Sequence, residues 1–206
     1  MINALSNRSA YPCLDQNIYL NQASLGLLSN ETVNEMTEFL STVARYGNLK
    51  MTDREEANFL NPLRGKVAKL LQAKQENIAL VSSASEILSQ IPELCKPRIG
   101  SKVLLVSTDF PAITRPWLLK AKTSDFEVCF IHEVPEIDLT NAIIEEVDSN
   151  TSVVCLSYVQ FASGTQVNVE KLSQYTKEVG AKLVIDVTQA AGAVPISIND
   201  WAVDIL

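Results

Sequence analysis

Residues 183–196 read LVIDVTQAAGAVPI, a short apolar run that ends in Asp186 and is followed by Gln189 and a turn of small residues. In a parallel α/β sheet, ligands bind in the crevice beyond the carboxyl ends of the strands. An aspartate at that edge faces the ligand, whereas an aspartate inside the strand would be a buried charge without a partner. The stretch therefore predicts a parallel sheet with a ligand site at Asp186.

The same alternation of short apolar runs and amphipathic segments extends over the chain from residue 77 onward. Strands are predicted at 78–81, 102–106, 127–131, 153–158 and 182–185, and helices at 85–94, 113–122, 139–147 and 169–179. Before them, we predict a helix from an N-cap at Ser29 to about residue 45, ended by Gly47, and a second helix over 53–71 that Pro62 breaks or kinks. This order is typical of the α/β class, with three α/β/α layers around a mainly parallel sheet.

Composition narrows the classes of function. The chain has 206 residues, 47% of them hydrophobic, and a net charge of −7 without a lysine or arginine cluster, which argues against a nucleic-acid partner. Residues 1–15 lack the basic start and apolar core of a signal peptide, and no apolar run approaches the length of a membrane span. The four cysteines lack the C-x-x-C spacing of metal or redox sites. We therefore expect free thiols, no metal ion, no membrane partner and a cytoplasmic location.

Residues 81–86, VSSASE, link the first predicted strand to the next helix. Small hydroxyl residues at a helix N-terminus leave backbone N–H groups free, and the helix dipole there favours anions. Ala84 and Ser85 are therefore candidates for binding a phosphate. The alternative is ordinary helix capping, with Ser82 or Ser83 as the cap and Glu86 in the capping-box position.

Two further segments follow predicted strands at the same edge. Phe110, in the segment 109–112, can lie flat against an aromatic ligand ring, or it can be a loop residue that covers the core. Gln160, in the segment 158–165, can hydrogen-bond a ligand, or it can be an exposed loop amide.

Taken in order, these segments resemble the motifs of the class V aminotransferase family of pyridoxal-phosphate enzymes, over about residues 19–204. The Asp-x-x-Gln pattern at 186–189 is the most specific of them. The resemblance implies pyridoxal phosphate as the cofactor, and it implies the following cofactor-binding residues: Ala84, Ser85, Phe110, Gln160, Asp186 and Gln189. Asp186 would pair with the ring nitrogen. Gln160 would bond the phenolic oxygen or the substrate carboxylate, and Gln189 would donate to the phenolic oxygen. Asn21, Ala23 and Ser24 resemble the family segment that lines the substrate side of the pocket.

The resemblance also implies an organisation and a reaction class. Residues 1–50 would form an N-terminal arm and helix, and residues 51–206 a partial pyridoxal-phosphate-binding large domain. The substrate would be an amino acid, processed through an aldimine by a homodimeric enzyme. Cysteine desulfurases of the family use a histidine where this chain has Phe110, which puts desulfurase chemistry in doubt.

The family's Schiff-base lysine would lie beyond Leu206, since the last lysine, Lys182, precedes Asp186. We therefore expect the chain to be an N-terminal portion that lacks this lysine and the C-terminal domain, and to be inactive alone. Two alternatives stay open. One is a binding remnant of the same fold without catalysis, and the other is an unrelated α/β protein that binds a phosphorylated small molecule at Ser83–Ser85.

Overall fold

The computed structural model describes residues 7–206, and the chain divides into two compact units, Met1–Asn61 and Pro62–Leu206. The predicted functional division at residue 50 stays a prediction. None of the helices in residues 7–206 is long and apolar enough to cross a membrane.

The first unit contains short 3-10 helices at Arg8–Ala10 and Pro12–Asp15, helix α1 at Asn30–Tyr46 and helix α2 at Asp53–Asn58. The predicted ends of α1 are confirmed. The Ser29 hydroxyl accepts a hydrogen bond from the Thr32 N–H at 3.1 Å, and Gly47 ends the helix with a φ of 57°, a backbone conformation that glycine adopts at little cost.

The break predicted at Pro62 within the helix over 53–71 is confirmed, and it lies just before the proline. Helix α2 ends at Asn58, and a separate helix α3 spans Asn61–Leu71. Pro62 is the second residue of α3, a position where its missing N–H costs no intrahelical hydrogen bond. The proline therefore lies at the start of a new helix, and the preceding helix ends before it.

The second unit continues with a 3-10 turn at Gln75–Asn77 and then alternates helices and strands. Its elements are α4 (Ala84–Cys95), β1 (Ser101–Val106), α5 (Pro111–Ala121), β2 (Phe126–Ile131), α6 (Leu139–Glu146), β3 (Thr151–Ser157), α7 (Val169–Val179), β4 (Lys182–Asp186) and α8 (Ile198–Trp201). Eight of these nine elements match predicted ones to within two residues at each end, and α8 was not predicted.

The four strands form one parallel sheet in the order β2-β1-β3-β4. Beyond β4, Ile205 forms a parallel bridge with Val184. The predicted strand at 78–81 was wrong, since these residues belong to no strand of the sheet. A strand needs a neighbour for its backbone hydrogen bonds, and no strand within residues 7–206 lies beside this segment.

Helices cover both faces of the sheet, as the three-layer prediction requires. Because side chains alternate along a strand, β3 contributes Val154 and Leu156 to one face and Val153 and Cys155 to the other. Helices α6 and α7 pack on the first face through Leu139, Ile143, Val169 and Leu172. Helices α4 and α5 pack on the second face through Leu88, Ile91, Ile113 and Trp117. All seven residues of β3 are buried, as expected for a strand covered on both sides.

Candidate functional site

The predicted ligand-binding edge is formed by the carboxyl ends of three adjacent strands, β1, β3 and β4. Ser157, the last residue of β3, lies opposite Asp186, the last residue of β4. The Tyr158 N–H donates to the Asp186 carbonyl oxygen at 2.8 Å. The topology thus brings the segments that follow β1, β3 and β4 to one edge of the sheet.

Asp186 is partly buried and uses only one of its carboxylate oxygens. The backbone N–H of Thr188 donates to Oδ1 at 2.7 Å, and the Thr188 hydroxyl donates to the same atom at 2.5 Å. Among residues 7–206 no group donates to Oδ2. These bonds fix the orientation of the carboxylate and leave one anionic oxygen free to accept a hydrogen bond from a ligand.

Gln189 follows in the turn after Asp186. Its side chain is exposed and forms no hydrogen bond with the part of the chain that the structure describes. It is therefore free to donate to or accept from a ligand, and the predicted contact with a phenolic oxygen stays a prediction.

The N-terminus of α4 shows the predicted helix capping and leaves donors unused, and phosphate binding there stays a prediction. The Ser83 hydroxyl accepts from the Glu86 N–H at 3.2 Å, so Ser83 is the N-cap. The Glu86 carboxylate accepts from the Ser82 N–H at 2.8 Å and from the Ser82 hydroxyl at 2.5 Å. These hydrogen bonds lower the pKa of Glu86. The N–H groups of Ala84 and Ser85 and the Ser85 hydroxyl take no part in this capping, and they remain available as donors to an anion.

Phe110 occupies the N-cap position of α5 with 47% of its surface exposed. Its ring packs edge-to-face against Phe161, with the ring centroids 5.4 Å apart. Phe110 and Ser85 line one open groove of about 920 Å³ between α4 and α5, which Arg115 also lines. The groove therefore contains Phe110, which is predicted to stack on the ring, and Ser85, which is predicted to bind the phosphate. The other predicted cofactor residues do not line it: Ala84, Gln160, Asp186 and Gln189.

Gln160 is not the exposed loop amide that one interpretation of the sequence proposed, since only 1% of its surface is accessible. Its Nε2 donates to Asp109 Oδ2 at 3.2 Å and to the Ser157 carbonyl oxygen at 3.2 Å. The amide donors are thereby committed to protein atoms. Contact with a phenolic oxygen or a substrate carboxylate stays a prediction, and a ligand hydroxyl can bond the unpartnered Oε1 without displacing these partners.

Sequence reasoning missed Asp109 as a site residue. Its side chain is only 5% exposed and bonds Ser157, 48 positions later in the sequence. The one available signal was its position beside Phe110 after a buried strand, which is equally typical of an aspartate that caps a helix.

The three predicted substrate residues belong to the first unit and form part of a turn. The N–H groups of Ser24 and Leu25 donate to the Asn21 carbonyl oxygen at 3.2 and 3.3 Å. Asn21 and Ser24 are exposed and Ala23 is partly buried. Their contact with a substrate stays a prediction.

Lys182 lies at the opposite end of β4 from Asp186. Its Nζ donates to the Cys95 carbonyl oxygen at 3.0 Å, beside the last turn of α4. The amine therefore makes a structural contact at the amino edge of the sheet.

Comparison with known proteins agrees with this arrangement. The family model for class V aminotransferases matches residues 18–206. The uncharacterized aminotransferase YcbU of Bacillus subtilis is 23% identical over 199 residues, which cover 97% of this chain and 52% of YcbU. A kynureninase of Yarrowia lipolytica is 27% identical over 155 residues, covering 69% of this chain and 35% of that protein.

Two solved structures share the fold. The Escherichia coli cysteine desulfurase CsdA superposes with a TM-score of 0.81 at 21% identity, covering 96% of this chain and 51% of CsdA. A variant of C-DES with glycine covalently linked to its PLP cofactor superposes with a TM-score of 0.85 at 16% identity, covering 97% and 54%. The chain spans about half the length of the curated relatives it matches. With the family model matched over 18–206, this chain belongs to the class V aminotransferase family.

Proposed function

We propose that the chain is the cofactor-binding part of a pyridoxal-phosphate-dependent enzyme that acts on an amino acid. The observation that carries the proposal is Asp186, whose carboxylate is oriented by Thr188 at the end of β4 and keeps Oδ2 free. When bound, pyridoxal phosphate withdraws electrons from the substrate, and a carboxylate near its ring nitrogen supports this chemistry.

The donors and acceptors at the sheet edge fit the parts of this cofactor. The free N–H groups of Ala84 and Ser85, with the Ser85 hydroxyl, would bind the phosphate at the start of a 12-residue helix. The exposed face of Phe110 would stack on the ring, and Asp186 would hold a proton on the ring nitrogen. Glu86 is already bound to Ser82, so its carboxylate does not compete for these donors.

The similar proteins support a class of reaction for the whole protein. They include an aminotransferase, kynureninases and cysteine desulfurases, and we propose a transferase or lyase reaction on an amino acid for the whole protein. Phe110 in place of a histidine supports a reaction other than cysteine desulfuration. A homodimeric assembly and a cytoplasmic location are proposed from the family resemblance alone.

We further propose that this chain alone binds the cofactor without a covalent bond. The sequence has eleven lysines, and the last of them, Lys182, is engaged at the amino edge of the sheet. A binding remnant of the same fold would also bind the cofactor noncovalently. If the whole protein turned over none of the amino acids tested, that result would favour the remnant. The family match opposes the alternative of an unrelated phosphate-binding protein.

The test is a titration of the chain with pyridoxal phosphate, followed by borohydride reduction and mass spectrometry. We expect saturable binding that pyridoxal, which lacks the phosphate, reproduces only weakly, and no adduct at a single lysine. Ser85→Ala should weaken binding, whereas Ser149→Ala, at an exposed position just before β3 at the amino edge of the sheet, is the matched control. A stoichiometric reduced adduct at one lysine would contradict noncovalent binding, and no binding at all would contradict the proposed function.

A further inference from the structure

Asp109 is the one buried side chain with a formal charge in residues 7–206. A buried carboxylate is costly unless its oxygens are hydrogen-bonded or paired with a cation. No ion pair within the described residues includes Asp109. Neutral donors must therefore offset the cost of burying this group.

Four hydrogen bonds engage both oxygens of Asp109. Oδ1 accepts from the Phe110 N–H and from the Ser157 hydroxyl, each at 2.7 Å. Oδ2 accepts from the Ser157 N–H at 2.7 Å and from Gln160 Nε2 at 3.2 Å. Hydrogen bonds to an ionised acceptor are stronger than neutral ones. The carboxylate thus joins the segment after β1, the end of β3 and the segment after β3.

These bonds reach two of the predicted cofactor contacts, Phe110 and Gln160. The main chain of Phe110 is bound directly, and Gln160 is bound through its amide. Ser157, which supplies two of the four donors, lies opposite Asp186 in the sheet. Asp109 therefore links Phe110 and Gln160 to the strand next to Asp186.

The orientation of the Gln160 amide follows from the same contact. Nε2 has two acceptors, Asp109 and the Ser157 carbonyl oxygen, whereas Oε1 is buried without a partner. With the amide turned over, Oε1 would face the Asp109 carboxylate, and two acceptors would meet without a proton between them. The negative charge of Asp109 thus decides which atom of Gln160 is committed and which is left free.

We propose that Asp109 is a positioning residue of the cofactor site, which holds Phe110 in place and sets the orientation of the Gln160 amide. The inference rests on the proposed binding of pyridoxal phosphate. Asp109 itself does not contact the cofactor. Its effect on cofactor binding is exerted through Phe110 and Gln160.

The test is a double-mutant cycle on the two side chains. Asp109→Asn removes the charged acceptor, Gln160→Met removes the amide and keeps a similar volume, and the double variant removes both groups. The dissociation constant for pyridoxal phosphate and the induced circular dichroism of the bound ring are measured on the whole chain, at a temperature where every variant is folded. The dichroism reports a fixed ring orientation, which a change in fold stability alone would not alter.

We expect each single variant to bind pyridoxal phosphate about tenfold more weakly with a reduced dichroic signal, as for the loss of one charged hydrogen bond. The double variant should lose clearly less affinity than the product of the two single losses, because side chains that act through one shared hydrogen bond are coupled in such a cycle. Single variants that bind like the parent, or losses that multiply as for independent residues, would overturn the proposal.

Ser157→Ala is a less disruptive variant that can be used if Asp109→Asn does not fold. Ser157→Ala removes one donor to Oδ1 and keeps the backbone N–H that bonds Oδ2, so we expect a loss of about threefold in affinity. Unchanged affinity in a folded Ser157→Ala would also overturn the proposal.

The experiment distinguishes this inference from the proposed function. If the parent chain does not bind pyridoxal phosphate, both are wrong. If the parent binds it and the variants do not show the expected pattern, only the role of Asp109 is refuted.

Discussion

Replacing Asp186 with asparagine is the sharpest perturbation of the cofactor site, because it removes one charge and almost no volume. Asparagine keeps an oxygen to accept from Thr188 and places an amide donor where Oδ2 now lies. A hydrogen bond to a charged group contributes about 1.5–3 kcal/mol. Asp186 is only partly buried, so solvent screening favours the lower end of this range. Since about 1.4 kcal/mol corresponds to a tenfold change in affinity, we expect pyridoxal phosphate to bind about tenfold more weakly.

The assay is a titration followed by the absorbance of the cofactor, with thermal unfolding measured in parallel. Asp125→Asn is the matched control, since Asp125 is an exposed aspartate before β2, at the amino edge of the sheet. We expect the control to bind like the parent and both variants to unfold near the parental temperature. Equal affinities for Asp186→Asn and the parent would show that this carboxylate does not meet the ring, and the reasoning from strand position would be wrong.

Three further predictions concern stability and reactivity. Leu172→Ala should destabilise the fold by about 2–5 kcal/mol in denaturant unfolding, because Leu172 is fully buried under the sheet, whereas Leu119→Ala at an exposed position of α5 should have little effect. Burial raises the pKa of the Cys155 thiol, so a thiol reagent at neutral pH should modify the partly exposed Cys13 well before Cys155, and equal rates would contradict this. The pKa of Glu86 is lowered in the folded chain by hydrogen bonds from Ser82, so its contribution to stability is present above the ordinary glutamate pKa and lost as the pH falls through the lowered value. Glu86→Gln should remove that part of the acid dependence of unfolding, and an unchanged profile would count against the bond.

The sheet and its flanking helices could be predicted from the sequence because their signals are local. Short β-branched runs and amphipathic segments mark the elements, and the all-apolar run at 153–156 indicates burial on both faces. The strand predicted at 78–81 was wrong because its signal is not sufficient locally. A strand depends on a neighbouring strand, which a local sequence pattern does not reveal. Pro62 marked a break in the chain but not its position, because a proline is compatible with the end of one helix and with the first turn of the next.

The candidate site was predictable where a strand end determines the position of a side chain. Asp186 and Phe110 lie where the parallel topology requires. The environment of Gln160 was not predictable, because it depends on Asp109, which lies 51 positions earlier in the sequence. A hydrogen-bond partner brought close only by the sheet order leaves no pattern in either segment.

Strand β4 is the last in the strand order but is hydrogen-bonded on both sides, which has a consequence for how the site can respond to a ligand. On one side β4 pairs with β3, and on the other the N–H groups of Leu183 and Ile185 donate to the Asp204 carboxylate and the Ile205 carbonyl oxygen. Local opening of β4 must break hydrogen bonds on both sides, which places its amides among the slowest to exchange with solvent. We therefore expect Asp186 to keep its position when a ligand binds. Any adjustment to ligands of different size is expected in the turn that follows it, where Gly192 has a φ of 83°.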